Sequence, residues 1–294
     1  MRKQFVKTVE ALMAEDERLV LMLGDIGVFG FRNAFAEYPE RTYNIGICEQ
    51  AMVGVASGMA REGFIPVLHS IAPFVVERCF EQLKIDLCYQ ALPAKIVSVG
   101  GSYDYAGLGA THHCPEDVAI LQTLPGMQIV VPGTPAEFDI LFRASFGDRH
   151  PTYFRLSERS NPESREVMFG RAKVVREGSL ATVLAVGPML GPVTAAAEGL
   201  DITLLYYTTV APFDLDTLLV HAVGRIAVVE PYLEGTTARQ LAPTGLLATS
   251  RLVSMGMPLC FLSEYGRTED HDRAFGLAAT QIRERLEEFL RGQN

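Results

Sequence analysis

Short apolar runs alternate with amphipathic segments along this chain. In its first half, β-rich apolar runs predict strands at residues 19–23, 65–69, 95–100, 128–131 and 152–156. Between them, apolar positions at helical spacing predict helices at residues 49–61, 74–89, 115–124 and 135–146. This alternation predicts an α/β fold whose mostly parallel sheet is covered by helices on both faces.

A second α/β set follows a polar stretch at residues 157–166, which the composition predicts to be a linker. Strands are predicted at residues 181–186, 202–206, 226–229 and 259–262, and helices at residues 192–198, 214–222, 236–248 and 270–290. We therefore expect two doubly wound domains, residues 1–166 and 167–294. A chain of 294 residues is long enough for each domain to bury its own core.

Composition and charge narrow the class of protein. Hydrophobic residues make up 48% and charged residues 21% of the chain, which is typical of soluble globular proteins. A formal net charge of −9, with no basic patch interleaved with aromatic residues, argues against nucleic-acid binding. No apolar run is long enough to span a membrane, and the first ten residues predict an amphipathic helix rather than a signal peptide. We expect a cytoplasmic protein that binds neither nucleic acid nor membrane.

The cysteines point to reduced thiols. There are five, widely spaced and without a CxxC pair, as is usual in cytosolic proteins. The run His112-His113-Cys114 raises the question of a metal site. Adjacent residues rarely all point at one ion, so we assign no metal ligand to this chain.

One predicted helix is built almost entirely from small residues. Residues 43–60 read YNIGICEQAMVGVASGMA, and alanine, glycine and valine recur there at helical spacing. Such a helix can lie very close to another helix or to a ligand. Its single carboxylate, Glu49, falls in the first turn, where the helix dipole favours negative charge but unpartnered burial would be costly. Glu49 is either a solvated first-turn residue or a carboxylate poised for proton exchange with a nitrogen heterocycle.

Two other segments carry candidate chemistry. Phe74 could present a phenyl face to a flat ligand, although its spacing is equally typical of a core residue. A glycine-rich loop at residues 100–117 contains the pair Thr111-His112 and enters a helix with acidic residues in its first turn, which argues against phosphate binding there. His112 can exchange protons near neutral pH, but loop histidines also serve as capping or solvent-exposed residues.

The small-residue segment resembles the pyrimidine-binding segment of the transketolase family of thiamine diphosphate enzymes. The resemblance extends over most of the chain but matches only the second half of a full transketolase. It implies that Glu49 contacts the aminopyrimidine ring of the cofactor and promotes formation of the reactive ylid. It implies that Phe74 stacks on that ring, with Ile71 in place of a second aromatic residue, and that His112 faces the substrate.

The resemblance covers the second α/β set as well. Residues 204–214 and 227–235 resemble the strands and turns of the transketolase C-terminal domain. The two predicted domains thus correspond to a pyrimidine-binding domain and a C-terminal-like domain.

Candidate substrate residues follow from the same resemblance. Asp25 falls in a loop near the substrate channel, and Arg2 matches an arginine that contacts the sugar phosphate. Tyr103 replaces a phosphate-binding histidine, and Glu158 replaces an arginine, with Arg159 one residue away. Because phosphate binding needs convergent cationic donors, these departures predict a ketose other than an ordinary pentose or hexose phosphate.

The diphosphate half of a thiamine site is missing from this sequence. Residues 24–27 do not match the family's diphosphate and metal motif. The resemblance therefore implies a separate N-terminal transketolase subunit that binds the diphosphate with magnesium or calcium. We expect a heterotetramer, or a homodimer of this chain by itself.

The function predicted from these matches is transfer of a two-carbon ketol unit between sugars by the assembled complex. Two alternatives stay open. The chain could be the beta subunit of a 2-oxo acid dehydrogenase, which shares the small-residue helix, the glutamate and a loop histidine. It could also be a non-catalytic assembly subunit that keeps the fold.

Overall fold

Strands and helices alternate in the computed structural model, which describes residues 1–292. The strands are β1 (Leu19–Leu23), β2 (Thr42–Asn44), β3 (Ile65–Ile71), β4 (Ala94–Val99), β5 (Gln128–Val130), β6 (Pro151–Arg155), β7 (Lys173–Arg176), β8 (Ala181–Val186), β9 (Ile202–Tyr207), β10 (Thr209–Ala211), β11 (Arg225–Leu233) and β12 (Arg251–Met257).

The α-helices cover the faces of two sheets. They are α1 (Arg2–Glu15), α2 (Arg32–Glu37), α3 (Glu49–Arg61), α4 (Ala72–Val75), α5 (Phe80–Gln82), α6 (Asp117–Leu121), α7 (Pro135–Phe146), α8 (Leu190–Ala196), α9 (Leu215–His221), α10 (Leu246–Thr249), α11 (Thr268–Phe275) and α12 (Ala279–Arg291). A π-helix spans Leu83–Cys88, and 3₁₀ helices span Gly187–Met189 and Thr237–Thr244. Between residues 1 and 292, no helix is both long and apolar enough to cross a membrane.

Both sheets are mainly parallel. The first has the strand order β10-β5-β6-β4-β3-β1-β2, and only its edge strand β10 is antiparallel to its neighbour. The second has the order β12-β11-β8-β9-β7, with β7 antiparallel at one edge. Strands β1, β3, β4 and β6 are buried along their whole length, as expected for a sheet covered on both faces. The α/β fold class predicted from the sequence is confirmed.

Buried polar contacts join the two sheets, and one strand from the second half of the sequence belongs to the first sheet. Strand β10 lies in the second half of the sequence but pairs with β5 of the first sheet. The hydroxyl of buried Tyr206, on β9, donates a hydrogen bond of 2.6 Å to Glu137 Oε2, on α7. Residues 157–166 run between the sheets without forming a helix or strand. The boundary at residue 166 stays a prediction.

The helix predicted at residues 74–89 is broken in the structure. Helix α4 ends at Val75, a turn follows, and α5 begins only at Phe80. The Arg78 amide donates to the Pro73 carbonyl, five residues back, so the turn is wider than an α-helical one. The turn between α4 and α5 carries Arg78, which belongs to the candidate functional site.

Three predicted elements of the second half are corrected. The strand predicted at residues 259–262 is wrong, since β12 precedes it; Phe261 is 94% exposed, whereas Met257 is buried. The helix predicted at residues 236–248 is a 3₁₀ segment containing Pro243, followed by the single turn of α10. The helix predicted at residues 270–290 is divided at Gly276, whose φ of +72° ends α11.

Candidate functional site

The candidate site lies at the carboxyl ends of β1 and β3, beside the first turn of α3. Open parallel sheets bind ligands at this edge because the loops that leave the strands form a crevice there. Gly24 follows β1, and its amide donates to the carbonyl of His69 on β3. A methyl group on Gly24 would lie 3.1 Å from Ser70 Oγ and 3.3 Å from Glu49 Oε1. The glycine therefore lets this loop approach the carboxylate closely.

Glu49 is fully buried at the start of α3, so it is not the solvated first-turn residue that the sequence left open. Two groups on the following strand–helix connection compensate its carboxylate. Ser70 Oγ donates to Oε1 at 2.9 Å, and Arg78 Nη1 donates to Oε2 at 2.7 Å. The Arg78 side chain is 35% exposed, so the ion pair connects a buried charge to the surface.

Phe74 and His112 lie next to this ion pair. The Arg78 guanidinium carbon lies 4.2 Å from the centroid of the Phe74 ring, a cation–π contact. The ring of His112 meets Phe74 edge to face, with centroids 5.4 Å apart. Glu49, Arg78, Phe74 and His112 thus form one continuous cluster, which brings together three of the four residues that the sequence singles out as cofactor-facing or catalytic.

The glycine-rich loop makes two further contacts with His112. Thr111 Oγ1 lies 2.9 Å from His112 Nδ1, and the Tyr105 ring lies edge-on at 6.4 Å. Gly100 has a φ of +75°, and a methyl group there would lie 2.4 Å from the Tyr105 ring. The loop therefore needs a glycine at its base in order to bring Tyr105 and His112 over the strand ends.

Ile71 and Asp25 border the same region. Ile71 ends β3, is 8% exposed, and belongs to the apolar cluster against which Phe74 and Tyr105 pack. Asp25 is exposed in the loop after β1, with a φ of +67°, and its amide donates to Asn44 Oδ1 at 3.0 Å. Its carboxylate is thus presented at the sheet edge beside Gly24.

Tyr103 and Arg159 are occupied elsewhere. The buried Tyr103 hydroxyl donates to Asp272 Oδ1 at 2.6 Å, and the Arg159 guanidinium forms a short ion pair with the other oxygen of Asp272. Tyr103 also packs against His271 and Phe275 of α11. Both side chains therefore attach the glycine-rich loop and the linker to the second sheet, and their role toward a substrate stays a prediction.

Arg2 lies in a separate surface groove of about 440 Å³ that reaches the site through Tyr105. Lys3, Lys7 and Glu158 line this groove together with Arg2. The groove can hold an anionic group near His112, but Glu158 reduces its positive charge.

A possible metal cluster in the described part of the chain consists of Glu77, Cys114 and Glu116. Cys114 is buried, and burial raises the pKa of its thiol well above the usual range. The Cys114 thiol donates instead to Glu77 Oε1 at 3.5 Å, so two of the three groups already satisfy each other. We assign no metal to this cluster.

The sequence analysis missed Arg78 and Ser70. Arg78 stands four residues after Phe74, a spacing that brings side chains together on a helix, so the contact with the ring had a local signal. The ion pair with Glu49 spans 29 positions and had none.

These residues fit the flat nitrogen heterocycle of thiamine diphosphate. A buried carboxylate stands beside an aromatic face that already accepts a planar N–C–N group, the Arg78 guanidinium. An aminopyrimidine offers the same flat shape and the same edge of nitrogen atoms. Two mainly parallel α/β sheets in one chain, with such a site at the edge of the first, are what is expected of the pyrimidine-binding half of a thiamine diphosphate enzyme.

Comparison with known proteins gives the family. Residues 1–163 match the family model described as the transketolase pyrimidine-binding domain. The chain belongs to the transketolase family and corresponds to the C-terminal subunit of a split transketolase.

Two curated relatives match almost the whole chain. A 6-deoxy-6-sulfo-D-fructose transketolase subunit, SqwH, of Clostridium sp. (strain MSTE9) is 30% identical, over 96% of this chain and 92% of the relative. An uncharacterized 33.6 kDa protein from the fasciation locus of Rhodococcoides fascians is 38% identical, over 97% and 93% of the two chains.

A solved structure agrees with these matches. A split-gene transketolase, described as an inactive beta4 tetramer, superposes with a TM-score of 0.85 at 26% identity, over 98% of this chain and 97% of the other.

Proposed function

We propose that this chain is the pyrimidine-binding subunit of a split, thiamine diphosphate-dependent transketolase that transfers a two-carbon ketol unit between sugars. The observation that carries the proposal is the cluster of Glu49, Arg78, Phe74 and His112 at the carboxyl edge of the first sheet. A separate N-terminal subunit supplies the diphosphate site and its magnesium or calcium ion. Family membership and the split-subunit relatives support this assignment.

In this proposal each residue of the cluster has a distinct task. Glu49 would hydrogen-bond a nitrogen of the pyrimidine ring, and burial would hold that contact away from competing water. Phe74 would stack on the ring, with Ile71 extending the apolar surface beneath it. His112 would hold or move a proton at the substrate's hydroxyl or carbonyl oxygen, with Thr111 fixing the imidazole orientation. Thiamine diphosphate, when bound, supplies the electron sink for carbon–carbon bond cleavage.

The exposed face of α3 is the surface that we assign to subunit association. Gly54 and Gly58 lie on this face, and an added methyl group would meet nothing closer than 4.0 Å. A mid-helix glycine costs about 1 kcal/mol relative to alanine, so packing within this subunit gives no reason for either. Val55 is 46% and Ile47 68% exposed on or beside the same surface. Glycines flanked by exposed apolar side chains allow another helix to dock closely. That helix would belong to a second copy of this chain or to the partner subunit.

The substrate that fits best is a ketose other than the ordinary pentose and hexose phosphates. Tyr103 and Arg159 are engaged by Asp272, and Glu158 lines the same groove as Arg2. One relative is named for a sulfonated ketose, which agrees with an altered anionic end group.

A substrate screen on the assembled complex tests the proposal. The chain is purified with its candidate N-terminal partner, thiamine diphosphate and magnesium, and is assayed with ketose donors and, separately, with 2-oxo acids. Turnover of ketoses supports transketolase activity. Turnover of 2-oxo acids alone would assign the chain to the dehydrogenase beta subunits, and absence of cofactor binding even by the assembled complex would favour a non-catalytic subunit. Efficient turnover of xylulose 5-phosphate would refute the substrate proposal.

A further inference from the structure

Arg78 makes the two contacts that the proposed function gives to the cofactor ring. Its guanidinium carbon lies over the Phe74 ring, 4.2 Å from the ring centroid, and its Nη1 donates a hydrogen bond to Glu49 Oε2 at 2.7 Å. A guanidinium is planar, delocalised and edged with nitrogen donors, and these properties allow both stacking and hydrogen bonding to a carboxylate. An aminopyrimidine also has a planar N–C–N edge, and its ring nitrogen, an acceptor, can hydrogen-bond a carboxyl group when the two share one proton. The arginine and the ring would therefore compete for one carboxylate oxygen and one aromatic face.

We propose that Arg78 is a placeholder for the pyrimidine ring: it occupies the ring's position in the cofactor-free subunit and must leave Glu49 and Phe74 when thiamine diphosphate binds. This inference rests on the proposed function. It assigns to Arg78 a positioning and regulatory role that is separate from catalysis.

The need for a placeholder follows from the burial of Glu49. A buried carboxylate without a partner is strongly destabilising, and Ser70 compensates only one of its two oxygens. Arg78 compensates the other oxygen. Its side chain is already 35% exposed, so the guanidinium can move fully into water with only a small change in its own hydration. The broken helix at residues 76–79 places Arg78 on a turn rather than inside a regular helix, which eases this movement.

A consequence is that cofactor binding is weakened until Arg78 is displaced. Removing the arginine leaves Glu49 without its cationic partner in the free state and removes the competitor for Phe74. Both effects favour the bound state. A charge-assisted hydrogen bond to a partly exposed arginine corresponds to about a tenfold change in the binding constant, or about 1.4 kcal/mol.

The test is calorimetric titration of thiamine diphosphate with magnesium into the complex of this chain with its N-terminal partner. Wild type is compared with Arg78→Ala, Arg78→Lys and the control Arg143→Ala, which removes a surface ion pair with Glu15. We expect Arg78→Ala to bind the cofactor about tenfold more tightly, the control to bind like wild type, and Arg78→Lys to fall between, because lysine keeps the charge without the flat fork. Thermal unfolding of the isolated subunits reports whether each variant folds.

Each outcome decides the question. The placeholder is supported if the Arg78→Ala complex binds the cofactor more tightly than the wild-type complex. The same holds if the variant binds measurably and the wild-type complex binds too weakly to measure. Unchanged or weaker binding, with the wild-type complex binding normally, overturns the placeholder and leaves the proposed function standing. If neither the wild-type complex nor the Arg78→Ala complex binds the cofactor, the placeholder and the proposed function are both overturned. If Arg78→Ala does not fold, Arg78→Lys serves as the test, and binding no tighter than wild type overturns the proposal.

Discussion

Replacing Gly58 by leucine should separate the stability of the subunit from its assembly. Gly58 lies on the exposed face of α3, and a methyl group added there would meet no atom within 4 Å. Leucine is nearly as favourable as alanine inside a helix, so the exchange removes a glycine cost of about 1 kcal/mol. For a chain of 294 residues this corresponds to a rise of about 2 °C in the melting temperature of the isolated subunit.

The same substitution should weaken association if this face docks closely against another helix. A side chain forced into a well-packed contact costs about 1–3 kcal/mol, which is about 5- to 150-fold in the dissociation constant. Analytical ultracentrifugation of this chain, by itself and with its partner, measures that constant. The matched control is Glu284→Leu, which adds an exposed leucine on α12.

The two readouts can refute the reasoning separately. Association of the Gly58→Leu variant as tight as that of wild type would show that the α3 face is not an interface. A melting temperature below that of wild type would show that Gly58 is needed within the subunit itself.

Three further predictions concern single side chains. Glu49→Gln should weaken thiamine diphosphate binding at least tenfold and reduce turnover further, as measured by calorimetry and initial rates; wild-type values would remove Glu49 from its role. His112→Gln should lower turnover by about 10²-fold or more while leaving cofactor affinity within about twofold, and an unchanged rate would contradict a proton-transfer role. Burial lowers the pKa of His69 to about 4, so the unfolded chain binds more protons between pH 4 and 6.5. His69 should therefore cost stability as pH falls from 6.5 to 4, by up to about 3 kcal/mol, and urea melts of His69→Gln should show a weaker acid dependence than wild type.

The sequence predicted the elements whose signals are local. Strand β1, helix α3 and helix α7 begin and end where the hydrophobic pattern places them. The resemblance placed Phe74 on the cofactor ring and His112 toward the substrate, and in the structure the centroids of the two rings lie 5.4 Å apart.

Contacts between distant segments could not be predicted from local pattern. Asp272, on α11, accepts a hydrogen bond from Tyr103 across 169 positions, a contact that no local pattern indicates. Strand β10 has only three residues and pairs with a strand far earlier in the chain. The apolar run at residues 259–262 looked like a strand, but its side chains are largely exposed, because β12 supplies the edge of the second sheet instead.

Calorimetric titration of thiamine diphosphate and magnesium, first into this chain and then into its mixture with the candidate N-terminal subunit, tests the central claim most directly. We expect binding only in the mixture, since this chain supplies Glu49 and Phe74 for the pyrimidine ring and the partner supplies the diphosphate and metal site. Tight binding by the isolated chain would contradict the split site, and absence of binding in the mixture would contradict the proposed enzyme.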